Sequence, residues 1–384
     1  MAGWKKVLEG LVAGADELSD RTRSRMRKRR PSTRALVIVP YIGYGTTEAL
    51  QLSGRVLEDE GIRAASAGDT SWRNLVRTFK QLESDEVAGA RVRASFEGEE
   101  REVSSDAEGY FGMTLTPAKG IDPPGWHTVP LELIDPPPRG SDAVRAQAQV
   151  LVPPATARFG VISDIDDTVV RTNVANRLKM LVMLARSNAH TRKPFEGVAA
   201  FYRALHAGAD GAQGNPIFYV SSSPWNLYAP LVEFLSVQQI PLGPLLLKDF
   251  GDHTLFATRD HHGHKLACIE SILQTYPHLP FVLIGDSGEQ DPEIYREVVH
   301  RFPQRVRVIY IRSVDPDPSR LAAIDQLIDE VRQSGAQLVL APDSEFAAVH
   351  AAGEGLIAPA QLAQIRADKG EDRRSSDHPV ATRS

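Results

Sequence analysis

Two textures of apolar residues divide the chain. Between about residues 35 and 155 the apolar positions recur with period two. Val92, Ala94 and Phe96 make one such run, and Phe111, Met113 and Leu115 another. Val129, Leu131 and Leu133 make a third, and Val144, Ala146, Ala148, Val150 and Val152 a fourth. Strict alternation marks strands with one buried face, and the turn clusters SSDAEG, TPAKGIDPPG and IDPPPRGSD separate them. The pattern predicts an antiparallel β-sandwich domain over 35–155, interrupted by a helix whose face carries Trp72, Leu75, Val76, Phe79 and Leu82.

Past the proline-rich joint at Val152–Ala155 the texture changes. Short, nearly continuous apolar runs (FGVIS, IFYVS, FVLIG, VRVIYI) now alternate with helical patterns. Strands without alternation are buried on both faces, so this half predicts an α/β domain over 156–365, with a parallel sheet covered by helices on both sides. In such sheets function sits beyond the carboxyl ends of the strands.

The ends of the chain differ from both halves. Residues 1–34 combine an apolar stripe (Trp4, Val7, Leu8, Leu11, Val12) with the basic block RTRSRMRKRR. That segment either docks on its own domain ahead of a solvated linker or lies on an anionic membrane surface. The stretch 366–384 lacks large apolar residues and predicts a disordered tail. Composition narrows the function classes. A formal net charge of −5 argues against general nucleic-acid binding, and Cys268 as the single cysteine excludes a disulfide-stapled scaffold. One unpaired thiol fits a reducing, cytoplasmic location. Neither a signal peptide nor a membrane-spanning run is expected.

Chemistry-bearing residues gather where the parallel strands end. The first apolar strand runs into Asp164-Ile165-Asp166-Asp167-Thr168, and two carboxylates at the mouth of a buried strand require a cation or a shared proton. The second strand ends in Ser221-Ser222-Ser223-Pro224, placing a hydroxyl at the same edge; capping of the next helix is the blander role for Ser221, and the flanking Lys and acidic motifs favour the chemical one. Lys265 opens the helical run LACIESIL, with Lys248 as its rival for a fixed positive charge. The third strand ends in Gly285-Asp286-Ser287-Gly288-Glu289-Gln290-Asp291, a GDxxxxD pattern. His253, His261, His262 and His264 precede Lys265 and read as a polar loop rather than a zinc site, because neighbouring His261 and His262 point apart. With no GxSxG elbow present, a Ser-His-Asp hydrolase is not expected.

These four pieces, in this order, resemble the motifs of the haloacid dehalogenase superfamily of phosphohydrolases. More narrowly, SDIDDT, YVSSSPWNLY, GPLLLKDF and IGDSGEQDPEIY are similar to the catalytic domain of the actin-patch-associated phosphatidate phosphatases, over roughly residues 158–315. The stretch RVRASFEGEEREVSSDAEGYFGMTL resembles transthyretin-like sandwiches. The resemblance implies a haloacid-dehalogenase-like fold and a Mg²⁺-dependent phosphomonoester hydrolase whose substrate is phosphatidate at a membrane surface. It implies Asp164 as nucleophile, Asp166 as general acid and base, Ser221 as a phosphoryl-oxygen ligand and Lys265 as the fixed charge. Asp164, Asp286 and the main-chain carbonyl of Asp166 would hold the metal, with Asp291 orienting them. The alternatives are another bulky phosphomonoester, or a lipid-binding scaffold with a vestigial site. The apolar helix expected within NVANRLKMLVMLARS either contacts lipid or protein or is ordinary core, and a protein partner of the sandwich completes the expectations.

Overall fold

The computed structural model describes residues 35–59, 86–137, 143–165, 168–169, 197–248, 261–313 and 318–377. The N-terminal segment 1–34, the expected Trp72–Leu82 helix, the NVANRLKMLVMLARS stretch, Asp166 and His253 lie outside them.

Among the described residues of the first half there are eight strands: β1 (Ala35–Pro40), β2 (Gly43–Gly45), β3 (Leu50–Asp59), β4 (Arg91–Phe96), β5 (Glu99–Ser104), β6 (Tyr110–Leu115), β7 (Gly125–Asp135) and β8 (Arg145–Val152). All four alternating runs lie on strands, with Val144 just ahead of β8. Val92 and Ala94, like Val129, Leu131 and Leu133, turn inward to one core while their neighbours face out. Hydrogen bonds join the eight strands into one mixed sheet in the order β1-β3-β2-β8-β7-β4-β5, with β6 branching from β3. Nearly all pairings are antiparallel, whereas β2 pairs parallel to β8.

The second half is an all-parallel six-stranded sheet built from β9 (Gly160–Ser163), β10 (Ile217–Pro224), β11 (Leu245–Lys248), β12 (Phe281–Asp286), β13 (Val306–Arg312) and β14 (Gln337–Ala341). Among the described residues seven α-helices accompany it: α1 (Val198–Ala207), α2 (Tyr228–Val237), α3 (His261–Thr275), α4 (Asp291–Arg301), α5 (Pro318–Gln333), α6 (Ser344–Gly353) and α7 (Gln361–Asp377). Successive residues of the central strands point to opposite faces. Val161, Ile217, Tyr219 and Val282 pack with α1, α2 and α6, while Ile162, Phe218 and Leu283 pack with α3, α4 and α5. Burial on both sides is the reason these strands read as unbroken apolar runs.

Strand order is β11-β10-β9-β12-β13-β14. From β9 the chain builds outward in one direction, returns to the middle at β12, and builds outward in the other. Between β9 and β12 lies the topological switch point, where adjacent connections leave in opposite directions and open a crevice at the carboxyl ends.

The two sheets share an apolar core. Val39, Tyr41, Ile42 and Leu57 of the first half pack in the same cluster as Phe159, Tyr228 and Ile217 of the second. The Tyr41 ring stacks on Trp225 with centroids 4.1 Å apart, and Ile42 N–H donates to the Tyr228 hydroxyl at 2.6 Å.

One expectation is overturned at the C-terminus. The disordered tail predicted for 366–384 is helical as far as Asp377, in α7. Its composition is polar because its bonds are ionic. Lys369 reaches Asp343 at 2.7 Å and Glu345 at 2.8 Å, Arg366 reaches Glu345 at 2.9 Å, and Ile365 is buried.

Candidate active site

Three strands deliver the site. In the ladder Ser163 of β9 is flanked by Tyr219 of β10 and Ile284 of β12, so Asp164, Ser221 and Asp286 all emerge at one edge of the sheet, on either side of the switch point. The Asp164 N–H donates to Ile284 O at 2.9 Å, which extends the β9–β12 ladder up to the carboxylate itself. Asp164 is 1 % exposed, and Asp286, Asp291 and Ser221 are completely buried.

Lys265, in the first turns of α3, enters this acidic group from the side. Its Nζ lies 2.8 Å from Asp164 Oδ1, 2.7 Å from Asp291 Oδ1 and 2.9 Å from Glu289 Oε2. Burial works against its charge, but Asp164, Asp291 and Glu289 outweigh that and hold the amine well above its ordinary pKa. The ammonium donates hydrogen bonds to Glu289 and Asp291, and Asp164 Oδ1 is held beside it as an ion pair. The rival Lys248 is also buried, but it ends β11 in register with Pro224, two strands away from Asp164 in the sheet.

The loop from Asp286 to Asp291 is folded around its own first residue. Asp286 Oδ1 accepts from Gly288 N at 2.6 Å and from Glu289 N at 3.0 Å. Asp291 opens α4, and its Oδ2 accepts from Asp286 N at 3.2 Å while its Oδ1 binds Lys265. Both oxygens of Asp291 are thereby used in orienting neighbours. Gly285 makes this approach feasible, because a Cβ there would lie 2.5 Å from Asp291 Oδ2. Burial, then Asp291 and Glu289, raise the Asp286 carboxyl from 3.8 to about 7. Its Oδ2 has no hydrogen-bond partner within the described structure.

An unpartnered buried carboxylate oxygen beside two other carboxylates is the signature of a cation site. Asp164, Asp286 and Glu289 each offer an oxygen, all within 4.8 Å of one another. Oxygens around one Mg²⁺ at about 2.1 Å sit roughly 3–4 Å apart, so small side-chain adjustments suffice, and an all-oxygen donor set suits a hard divalent ion. The residues fit such an ion. Glu289 is the member that sequence reasoning missed. It lies inside the GDxxxxD pattern, where only the first and last positions attract notice, and its acidity was the one available signal.

The remaining expected residues are distributed as follows. Ser221 Oγ accepts from Ser223 N at 2.9 Å and sits at the strand end, so the hydroxyl both shapes the turn and faces the site's edge. Thr168 is buried, with an Oγ1 lacking a partner. His262 and His264 take separate partners. His262 bonds Glu297 at 2.9 Å, His264 is buried with its Nε2 3.7 Å from Cys268 Sγ, and His261–His264 form the first turn of α3 instead of a loop. Burial pushes the Cys268 thiol far up, which leaves it unreactive.

Comparison with known proteins places this geometry. The model of the phosphatidate phosphatase APP1 catalytic domain matches residues 159–313. Phosphatidate phosphatase APP1 of Saccharomyces cerevisiae is 32 % identical over 170 residues, covering 44 % of this chain and 28 % of that protein. An uncharacterised protein of Schizosaccharomyces pombe is 31 % identical over 163 residues, 41 % of this chain and 26 % of the other. The match thus spans little more than a quarter of either relative's length. Among solved structures, a carbohydrate acetylesterase from Xanthomonas citri covers 79 % of this chain and 75 % of its own, at 12 % identity and a TM-score of 0.26, too slight a likeness to bear on the fold. Asp164, Ser221, Lys265, Asp286, Glu289 and Asp291 all fall inside the stretch, 159–313, that is similar to the phosphatidate phosphatase APP1 catalytic domain.

Proposed function

We propose that the chain is a Mg²⁺-dependent phosphatidate phosphatase of haloacid-dehalogenase-like fold, which hydrolyses the phosphomonoester through an aspartyl-phosphate and releases diacylglycerol and inorganic phosphate. The observation that carries this reading is the buried contact of Lys265 with Asp164, 2.8 Å, beside the Asp164–Asp286–Glu289 group at the switch point.

Phosphate monoesters resist hydrolysis because a dianion repels an anionic nucleophile, and catalysis needs positive charge placed in advance. Asp164 attacks phosphorus in line, and the bond from phosphorus to the glycerol oxygen breaks. Asp166 donates a proton to the departing alkoxide, then accepts one from the water that cleaves the aspartyl-phosphate and regenerates Asp164. Ser221 donates to a phosphoryl oxygen. Lys265 neutralises the phosphoryl charge, its orientation held by Asp291. Asp164, Asp286 and Glu289 would hold the Mg²⁺, which supplies charge neutralisation to the transferring group. The Lys265 contacts also impose an order. A phosphoryl group approaching the amine competes with the hydrogen bonds to Asp291 and Glu289, and Glu289, 12 % exposed, is the more accessible of the two.

Among the described residues no helix is long and apolar enough to cross a membrane, so contact with a lipid substrate would be made from the bilayer surface. Phosphate release from phosphatidate in mixed micelles, with Mg²⁺ and with chelator, for the native chain and Asp164→Asn, tests the reading. Release only by the native chain with Mg²⁺ is expected. Turnover that survives both the chelator and the substitution overturns it.

A further inference from the structure

Outside the matched stretch, on α5, one side chain reaches back to the cation loop. Arg320 Nε donates to Ser287 O at 2.9 Å, and its Nη2 donates to Glu289 O at 2.7 Å. The other side of the same guanidinium binds both oxygens of Glu293 on α4, at 2.9 Å from Nη2 to Oε2 and through Nη1 to Oε1. Arg320 therefore ties together two carbonyls of the Asp286–Asp291 loop and the helix that begins at Asp291. The hydrogen bonds it donates to Glu293, opposed by desolvation and reinforced by the charges of Glu293, Asp286 and Asp291, raise its pKa further, so the charge is permanent.

We infer that Arg320 is the positioning residue of the cation site. It fixes the main chain on both sides of Gly288, and so the direction in which Glu289 presents its carboxylate beside Asp286 and Asp164. Its location explains why a motif search passes it by: the contacts are to backbone carbonyls, which carry no sequence signal, and the residue lies beyond 313. The guanidinium is suited to the task by shape. A planar fork can serve two carbonyls and a carboxylate together, while an ammonium on a flexible stem cannot hold all of them in one plane.

This inference rests on the Proposed function's reading of the acidic group as a divalent-cation site, and the test separates the two. Mg²⁺ and Mn²⁺ affinities of the full chain are measured by titration calorimetry, with melting curves alongside, for the native protein and for Arg320→Ala, Arg320→Lys, Glu293→Gln and Glu330→Gln. Arg320→Ala should weaken cation binding by about 10–100-fold, the usual effect of removing a group that orients metal ligands. Arg320→Lys should recover only a small part of that, and Glu293→Gln, which keeps the guanidinium but loosens its anchor, should fall between. Glu330 pairs with Arg296 across the same two helices at 3.2 Å without touching the loop, and its substitution should leave the affinity unchanged. Turnover of Arg320→Ala at saturating Mg²⁺ should return to within a few-fold of native, moving the metal requirement and not the chemistry. Native affinity in Arg320→Ala overturns the inference. Should that variant fail to fold, native affinity in Glu293→Gln overturns it instead. Absence of cation binding by the native chain would defeat the cation-site reading itself.

Discussion

Lys265 Nζ stands 2.8 Å from Asp164 Oδ1, inside a site where both side chains are almost wholly buried. Neither charge would be tolerated there alone. Removing the amine leaves Asp164, Asp291 and Glu289 facing one another without a cation.

Replacement of Lys265 by Met therefore has two effects with different remedies. Breaking a buried ion pair by deleting one partner costs about 3–5 kcal/mol, so urea unfolding of the chelated protein should show a loss of that order. Mg²⁺ should restore much of the stability by replacing the lost charge, while phosphatase turnover stays undetectable. A variant as stable as native in chelator, or one that turns over, contradicts the role assigned to the amine.

Asp286 makes stability depend on pH in an unusual direction. Burial and the neighbouring carboxylates raise its carboxyl from 3.8 to about 7, so between those values the folded, metal-free protein holds a proton that the unfolded chain has lost. The sign follows: that contribution is fully present below about pH 4 and is lost as pH rises through about 7. Bound Mg²⁺ reverses it by favouring the ionised form. Melting curves should show a larger stabilisation by Mg²⁺ at about pH 8 than at about pH 5.5. An Mg²⁺ effect independent of pH across that window argues against an ion at Asp286.

Gly285 is required by its neighbour. A Cβ at this position would meet Asp291 Oδ2 at 2.5 Å and Asp291 Cβ at 2.7 Å. Gly285→Ala should push Asp291 away from Lys265 and from Asp286 N, lowering kcat by more than tenfold with a smaller change in KM, because the orientation of the amine and not substrate binding is disturbed. Steady-state kinetics on phosphatidate micelles decides it, and near-native kcat would show that the loop can shift without consequence.

The contact between the halves should be felt at the site. Tyr41 stacks on Trp225, four positions beyond Ser221, and truncation of a buried aromatic costs about 3–5 kcal/mol. Tyr41→Ala is expected to lose stability of that order and to lower kcat by loosening the Ser221–Trp225 turn. Native kcat in a destabilised variant would confine the stack to a structural role.

Much of this molecule is legible in its residues, for identifiable reasons. The parallel strands announce themselves because both of their faces are covered, and the motif residues because carboxylates and an amine at strand and helix ends have few other reasons to exist. What escaped was held by unmarked contacts. Glu289 is a spacer by pattern and joins the acidic group only when the loop curls around Asp286 Oδ1. Arg320 speaks to carbonyls. The α7 helix looks like a solvated tail until Lys369 meets Asp343 and Glu345 on another element. The expected helix around Trp72–Leu82 and Asp166, the expected general acid, lie outside the described residues.

The switch point has a kinetic consequence. Ser163 and Ile284 are ladder partners, yet most of the α/β half of the chain lies between them. Closing so long a loop is entropically slow and must precede any reward from the contacts it creates. On a growing polypeptide Asp164 is made well before Asp286 exists, so its carboxylate spends that interval without the neighbours it has in the folded site. Competence to bind a cation should thus arrive late in refolding, together with insertion of β12 beside β9, and not with the earlier pairing of β9 and β10.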